Sequence, residues 1–383
     1  MKNQKLCVAL VGVSFGASFI PIYLQHPQVD RLILVDTDTE LLKRKADKFL
    51  LSEEHCTTDY NEVLNDPTVD AIHLVVPPAL HAPMSIQALN AGKHCACTIP
   101  MGMTMGELED IIRARKASGK NYMFMETAVY TREYLYVKEL YESGEMGRLQ
   151  YMRCAHYQDM EGWPSYWDGY PPLMHPTHAI APCFALSGQR PVSVFGKGSG
   201  RVRQELANQY GCPFAFESAL VTLEDGETTV EMERFLYHVA RGYSECFCAY
   251  GENKSFEWDQ LNGESHVLFC RDLQNEDGKR GAKIDEERIE IPDYAHRLPA
   301  EIGRFTRKVV YDEKNPHLAF KQGGGHGGSH PHLVHEFVMS ILENRTPFPS
   351  DIDAAYWTGV GLLAHESAME GGKVKILPKF EMI

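Results

Sequence analysis

The sequence predicts an α/β protein of two domains: a parallel, doubly wound sheet, then an α+β domain on an open, mostly antiparallel sheet. Three observations carry this. Within residues 1–126, short apolar runs alternate with helically spaced segments, as successive βαβ units do. Beyond that point the strand-like runs alternate apolar and polar residues, the pattern of strands with one covered face. A length of 383 residues also exceeds what one small core organises, at roughly 150 residues per domain. The boundary is expected at 126/127, giving domains 1–126 and 127–383.

In the first domain Leu6–Val11 is continuously apolar, as a strand covered on both faces requires. A glycine-bearing turn follows, then a helix expected through Ile20. Arg31–Val35 is a second strand, ending at Asp36. Residues 39–50 space Leu41, Leu42, Ala46 and Phe49 helically, and residues 59–64 form a short helix before Asp66-Pro67. Residues 71–76 are a buried strand stopped by Pro77-Pro78. Residues 81–91 are a helix ended by Gly92, His94–Cys97 a strand, Met105–Ser118 a helix ended by Gly119, and residues 122–125 a strand.

In the second domain a helix is expected over residues 131–142. Strands follow at 149–157, 192–196, 219–223, 228–235, 244–250 and 254–258. Between the first two lies an aromatic- and histidine-rich segment, 156–188. Gly323–Gly328 holds five glycines around His326, a loop that must approach something closely. Helices at 331–343 and 351–370 close the chain.

Composition excludes several classes. Lys+Arg total 38 against 52 Asp+Glu, a net charge of −14, which disfavours nucleic acid or an anionic membrane as the main partner. Ten scattered cysteines do not make a disulfide scaffold. Cys95/Cys97 and Cys246/Cys248 are two apart on strands and read as buried thiols in a reducing compartment. With no signal-peptide pattern and no run approaching 18 apolar residues, a cytoplasmic protein is expected.

The strongest local motif is Gly12-Val13-Ser14-Phe15-Gly16-Ala17 after the first strand. It matches G-x-G-x-x-G/A at its first glycine and final alanine, with Ser14 in place of the middle glycine. Such a turn aims helix N–H groups at a pyrophosphate. Asp36 stands where an acid accepts hydrogen bonds from the adenosine ribose, or caps the next helix. Thr37 and Asp38 offer no cation for a 2′-phosphate, so NAD is expected over NADP. Val76, Pro77 and Pro78 end a strand at the sheet edge where such ligands bind.

From Val75 the chain reads VVPPALHAPMSIQALNAGKHCACTIP. It resembles the Gfo/Idh/MocA oxidoreductases, whose members carry P-P-x-x-x-H, a helix ending ALxAGKHV and then an E-K-P motif. The resemblance runs on through YESGEMGRLQ (141–150) and implies a Rossmann domain followed by an open-sheet domain. That sheet's exposed face often pairs subunits in the family, so a homodimer or homotetramer is implied. It also implies that His81, Thr98, Ile99 and Pro100 lie at the cofactor. Two family positions are changed. The lysine of E-K-P is Ile99, which cannot move a proton. The family's D-x-x-x-H helix reads Met174-His175-Pro176-Thr177-His178, so the aspartate is Met174 and the histidine is kept as His178.

Candidate replacements lie nearby. His178, His175 and Tyr170 are the acid–base candidates, because an imidazole titrates near neutrality. His156, Asp159, Trp163, Trp167 and His326 suit a sugar, whose C–H face packs on aromatic rings while its hydroxyls need polar partners. These aromatics could equally be core. His326, His330, His332 and His335 could bind a metal, but are expected to line the pocket or cap the following helix, so no metal site is assigned. Lys93 is expected to be solvated or near the cofactor. The expected function is NAD-dependent hydride transfer at a sugar, glycoside or polyol. The alternatives are a redox-neutral glycoside-cleaving enzyme that retains its NAD, and a non-catalytic nucleotide-binding regulator.

Overall fold

The computed structural model describes residues 5–261, 263–272, 281–321 and 326–383. Its strands are β1 (Leu6–Val11), β2 (Val29–Val35), β3 (Cys56–Thr57), β4 (Ala71–Leu74), β5 (His94–Cys97), β6 (Tyr122–Phe124), β7 (Leu149–Tyr157), β8 (Pro191–Ser199), β9 (Phe216–Leu223), β10 (Thr229–Phe235), β11 (Ser244–Gly251), β12 (Lys254–Glu257), β13 (Val267–Arg271), β14 (Ile284–Arg288), β15 (Val309–Val310), β16 (Phe320–Lys321) and β17 (Lys375–Ile376). Its helices are α1 (Ile20–Gln25), α2 (Thr39–Phe49), α3 (Tyr60–Asn65), α4 (His81–Asn90), α5 (Met105–Ser118), α6 (Arg132–Glu142), α7 (Thr177–Ser187), α8 (Gln204–Tyr210), α9 (Ala300–Gly303), α10 (His330–Leu342) and α11 (Asp351–Met369).

The chain forms two units. Unit 1 holds residues 1–131, 293–355 and 379–383; unit 2 holds 132–292 and 356–378. Unit 1 thus joins segments that lie far apart in the chain. The reason is apolar burial. Leu333, Val334, Phe337 and Val338 of α10 share one core with Leu6, Val8 and Leu10 of β1 and with Phe19.

Unit 1 carries a six-stranded sheet in the order β3-β2-β1-β4-β5-β6, parallel throughout. This is the doubly wound order, with its switch point between β1 and β4. All six residues of β1 are buried, as its unbroken apolar run requires. Local chemistry sets the helix ends. Asp38 caps α2 by accepting from the Leu41 N–H, so the capping role weighed for Asp36 belongs to Asp38. Thr104 and Glu107 form a capping box at the start of α5, and Gly119 ends it in the left-handed region at φ 65°. The helix expected through Ile20 is instead a 3₁₀ turn over Phe15–Ser18, and α1 begins at Ile20. Lys93 is not solvated: it is buried, and its Nζ donates to the carbonyls of Asp66 and Val69 at 2.6 and 2.9 Å.

Unit 2 carries a nine-stranded sheet in the order β14-β13-β12-β11-β7-β10-β9-β8-β17. Its pairings are antiparallel except β7 with β10. The sequence reading missed the outer strands β13, β14 and β17. Helix α7, with eight of its eleven residues buried, packs against β7, β10 and β11. All ten cysteines are free. Among the described residues no helix is long and apolar enough to cross a membrane.

Candidate active site

In unit 1 the turn after β1 has the geometry of a nucleotide cradle. Gly12 sits at φ +89°, and a Cβ there would lie 2.0 Å from the Val75 carbonyl oxygen. Only glycine lets the turn pass so close to the end of β4. The half-buried Asp36 carboxylate is fixed beside it: Oδ2 accepts from the Val13 N–H at 2.8 Å and Oδ1 from the Asp38 N–H at 3.0 Å. Each oxygen keeps a lone pair for a ribose hydroxyl, so the residues present fit the adenosine end of a dinucleotide. Phe15 is half exposed on the turn, and its ring meets His326 edge-on at 5.9 Å. His326 in turn pairs with His330, Nδ1 to Nε2 at 3.1 Å. The glycines at 323–325 lie outside the described residues.

His81 staples two strand ends. Its Nδ1 lies 2.6 Å from the Pro100 carbonyl and its Nε2 2.8 Å from the Val76 carbonyl. Burial pulls this imidazole below its usual range, against the pull of the two carbonyls. With both nitrogens engaged, His81 shapes the Val76–Pro78 edge through the backbone. Thr98 Oγ1 donates to the Leu74 carbonyl at 3.2 Å, and Ile99 beside it is half-buried.

In unit 2 the register builds a polar row. Arg234 of β10 and Glu245 of β11 both pair with His156 of β7, and Glu217 of β9 pairs with Arg234. Partners on adjacent strands point to one face, so Glu217, Arg234, His156 and Glu245 cross four strands side by side. All four are buried. Each strand signals this in its own alternation. The inward phases are Glu217-Ala219-Val221-Leu223, Val230-Met232-Arg234, Met152-Cys154-His156 and Glu245-Phe247-Ala249, all apolar but for one polar end. The sequence reading missed Arg234, Glu245 and Glu217; this break in the apolar phase could have found them.

The contacts fix protonation states. Arg234 Nη1 donates to His156 Nδ1 at 2.6 Å and also to the His175 carbonyl. An accepting Nδ1 places the His156 proton on Nε2, which faces Glu245 Oε1 at 3.7 Å. His178, in the first turn of α7, brings its Nε2 to 3.8 Å from the same oxygen, and the Tyr243 hydroxyl donates to it. These histidine–carboxylate separations are those of ion pairs rather than direct hydrogen bonds. Burial pulls the Arg234 guanidinium down to about 10, with Glu245 the leading opposing influence, so it stays charged at neutral pH.

The aromatic segment closes on the same histidines. Trp167 and Tyr170 lie 5.3 and 5.9 Å from the His175 ring, and His178 lies 6.0 Å from His175 and 5.6 Å from His156. Trp163 is more exposed and meets Trp167 edge-on at 6.0 Å. Asp159 is not gathered in: it sits on an exposed turn and accepts from the Glu161 N–H. Met174 and His178 do not share a helix, because Met174 ends a 3₁₀ turn and α7 begins at Thr177. The i, i+4 geometry expected there is absent.

Residues 6–126 match the family described as Gfo/Idh/MocA, oxidoreductase family, NAD-binding Rossmann fold. The match covers this first domain, about a third of the chain. A glycosyl hydrolase family 109 protein of Shewanella pealeana is 28% identical, over 99% of this chain and 86% of its own length. Among solved structures, an NAD-binding oxidoreductase from Klebsiella pneumoniae is 19% identical with a TM-score of 0.76, covering 98% of this chain and 99% of that one. Levoglucosan dehydrogenase, solved with NADH and levoglucosan, is 20% identical with a TM-score of 0.73, covering 98% of this chain and all of that one. At these identities the solved structures establish the fold. The matched domain is of the NAD-binding Rossmann type.

Proposed function

We propose that this protein is an NAD-dependent oxidoreductase acting on a CH–OH group of a sugar, glycoside or polyol. The observation that carries the reading is the His178–Glu245 pair beside His156, in a chain whose first domain is a nicotinamide-binding one. When bound, the cofactor supplies a hydride acceptor. The chain must then take a proton from the hydroxyl as the hydride leaves, with a group that titrates near working pH. His178 is that base, with His175 and Tyr170 next in line. The Glu245 carboxylate stabilises the imidazolium that results, and the Tyr243 hydroxyl that donates to it holds the carboxylate in place. Arg234 keeps the His156 proton on Nε2, the nitrogen that faces Glu245. The proton-accepting duty of the family lysine, lost at Ile99, thus moves to a histidine–carboxylate pair.

Trp167, Tyr170 and His175 supply a ring-stacking wall with polar tips, which suits a carbohydrate. Asp36, with no cation at Thr37 or Asp38, favours NAD over NADP. Gly12, Ser14, Phe15, Gly16 and Ala17 cradle the pyrophosphate, and Val76–Pro78 and Thr98–Pro100 border the nicotinamide end. His326 and Trp163 serve the substrate. Phe195, Leu220 and Ile376 are exposed on the nine-stranded sheet and suit pairing of two subunits there. Ten free thiols fit the cytoplasm.

A second reading is favoured by the full-length likeness to a glycosyl hydrolase family 109 protein. In it the same first oxidation would acidify a neighbouring C–H, a base would take that proton as the glycosidic C–O bond breaks and the leaving alcohol gains a proton, water would add across the resulting double bond, and the hydride would return to the carbonyl. One experiment separates the readings: sugars and glycosides incubated with NAD, followed at the NADH absorbance band and by mass spectrometry. Net NADH supports the first. Cleaved product without net NADH supports the second. Cofactor binding with neither, across the whole panel, overturns both in favour of a regulator.

A further inference from the structure

Glu217, at the far end of the polar row from Glu245, has a different set of neighbours. It is fully buried, and its Oε2 accepts from the Leu173 N–H at 3.0 Å. Its Oε1 lies 2.8 Å from His365 Nδ1 of α11 and 3.6 Å from Cys212 Sγ, in the turn after α8. The sulfur, the carboxylate oxygen and the ring nitrogen all lie within 4.8 Å of one another. Arg234, the next residue of the row, does not close onto Glu217. Its Nη1 is committed to His156 and the His175 carbonyl, and among the described residues its Nε and Nη2 have no hydrogen-bond partner.

We propose that Cys212, Glu217 and His365 form a site for a zinc ion, with water completing four-coordination. The donor set is the one zinc prefers: a thiolate, an imidazole and a carboxylate. Bond lengths of about 2.3 Å to sulfur and about 2.0–2.2 Å to nitrogen and oxygen put tetrahedral ligand atoms roughly 3.3–3.6 Å apart. The separations present reach that range with small shifts. The ion would also neutralise a carboxylate that the interior otherwise leaves to one histidine. His365 is the most exposed of the three and gives the ion its route in.

Binding breaks the Cys212 S–H bond and forms a zinc–sulfur bond, and the proton goes to solvent. The His365 proton resides on Nε2 while Nδ1 gives its lone pair to the metal. Because binding releases the thiol proton, metal binding weakens as pH falls. The ion would tie together the α8–β9 turn, β9 and α11. Through the Leu173 N–H it would also steady the turn that carries His175 into α7. It would be a structural site, independent of hydride transfer.

The test uses the full-length protein and Co²⁺ as a spectroscopic probe. One equivalent should give an intense near-ultraviolet sulfur-to-cobalt band with tetrahedral visible bands, and one equivalent of Zn²⁺ should erase both. Cys212→Ser should lose the near-ultraviolet band, and His365→Ala should weaken binding by about 10–100-fold. As a check independent of how the variants fold, Zn²⁺ should raise the Tm of the unmodified protein, and Cys246→Ser should respond as the unmodified protein does. The proposal is overturned if the unmodified protein shows no such band and no shift in Tm, or if Cys212→Ser keeps the band. Activity plays no part in the readout, so failure here leaves the oxidoreductase reading untouched.

Discussion

The two units treat buried histidine in opposite ways. In unit 1, His26, His73, His81, His330 and His332 are buried against rings, carbonyls and one another. His73 takes the Tyr23 hydroxyl at 3.1 Å, His26 meets His335 at 3.0 Å, and Phe19 stacks on His330. None of these five is in an ion pair among the described residues. Burial pulls His26 and His73 down to about 3 and His332 to about 4, and His330 lies well below its usual range. In unit 2 three histidines meet carboxylates: His156 and His178 face Glu245, and His365 faces Glu217, while His175 packs against Trp167 and Tyr170. The lesson is that burial alone makes a neutral, inert ring, whereas a carboxylate alongside supplies the counter-charge that an imidazolium would need.

The largest expected effect separates these roles in turnover. His178→Ala and Glu245→Gln should each lower kcat by about 10²–10⁴-fold, the range of a lost acid–base group, while NAD affinity by calorimetry stays nearly unchanged. His175→Ala should cost less. If the His178 variant turns over normally once a substrate is in hand, the carboxylate-paired histidine is not the base.

Acid is expected to act first on unit 1. A histidine with a lowered folded pKa binds a proton more readily in the unfolded chain. Stability is therefore intact above about pH 6.5 and falls as pH drops below that value toward the folded one. For His73 alone the loss is about 2 kcal/mol at pH 5, at 1.36 kcal/mol per unit. Thermal melts between pH 7.5 and 5 should show a steep fall in Tm, softened in the Tyr23→Phe/His73→Leu double variant. An equal slope in both proteins would show that the sealed histidines are not its origin.

Lys93 is the cationic counterpart of those histidines, buried with its ammonium on two carbonyls. Lys93→Met should destabilise the protein by about 1–3 kcal/mol through the Asp66 and Val69 carbonyls left unpaired, read by urea unfolding, with kcat unchanged. The smallest effect concerns cofactor choice. Asp36→Ser with Thr37→Arg should shift preference toward NADP by about tenfold, or ~1.4 kcal/mol. Tighter NADP binding by the unmodified protein would overturn the reading of Asp36.

Much of unit 1 was legible because its signals are local. An unbroken apolar run such as Leu6–Val11 has no other stable use than a doubly covered strand, and Thr104 with Glu107 or a terminal Gly119 mark helix ends by chemistry within a few residues. The turn at Gly12 and the acid at Asp36 belong to the same class. Glu245, Arg234 and Glu217 could not be assigned that way. Each is one charged residue at the end of an alternating strand, and only pairing of strands distant in sequence makes a row of them. The sequence by itself thus determined most elements of the first unit, its parallel doubly wound sheet and the nucleotide turn, because those follow from periodicity and nearby hydrogen bonds. The tertiary structure alone decided that α10 joins the first unit's core and that Glu245 meets His178. It also decided that Cys212 and His365 converge on Glu217. Register and long-range burial set these contacts, and neither is written in any short stretch of chain.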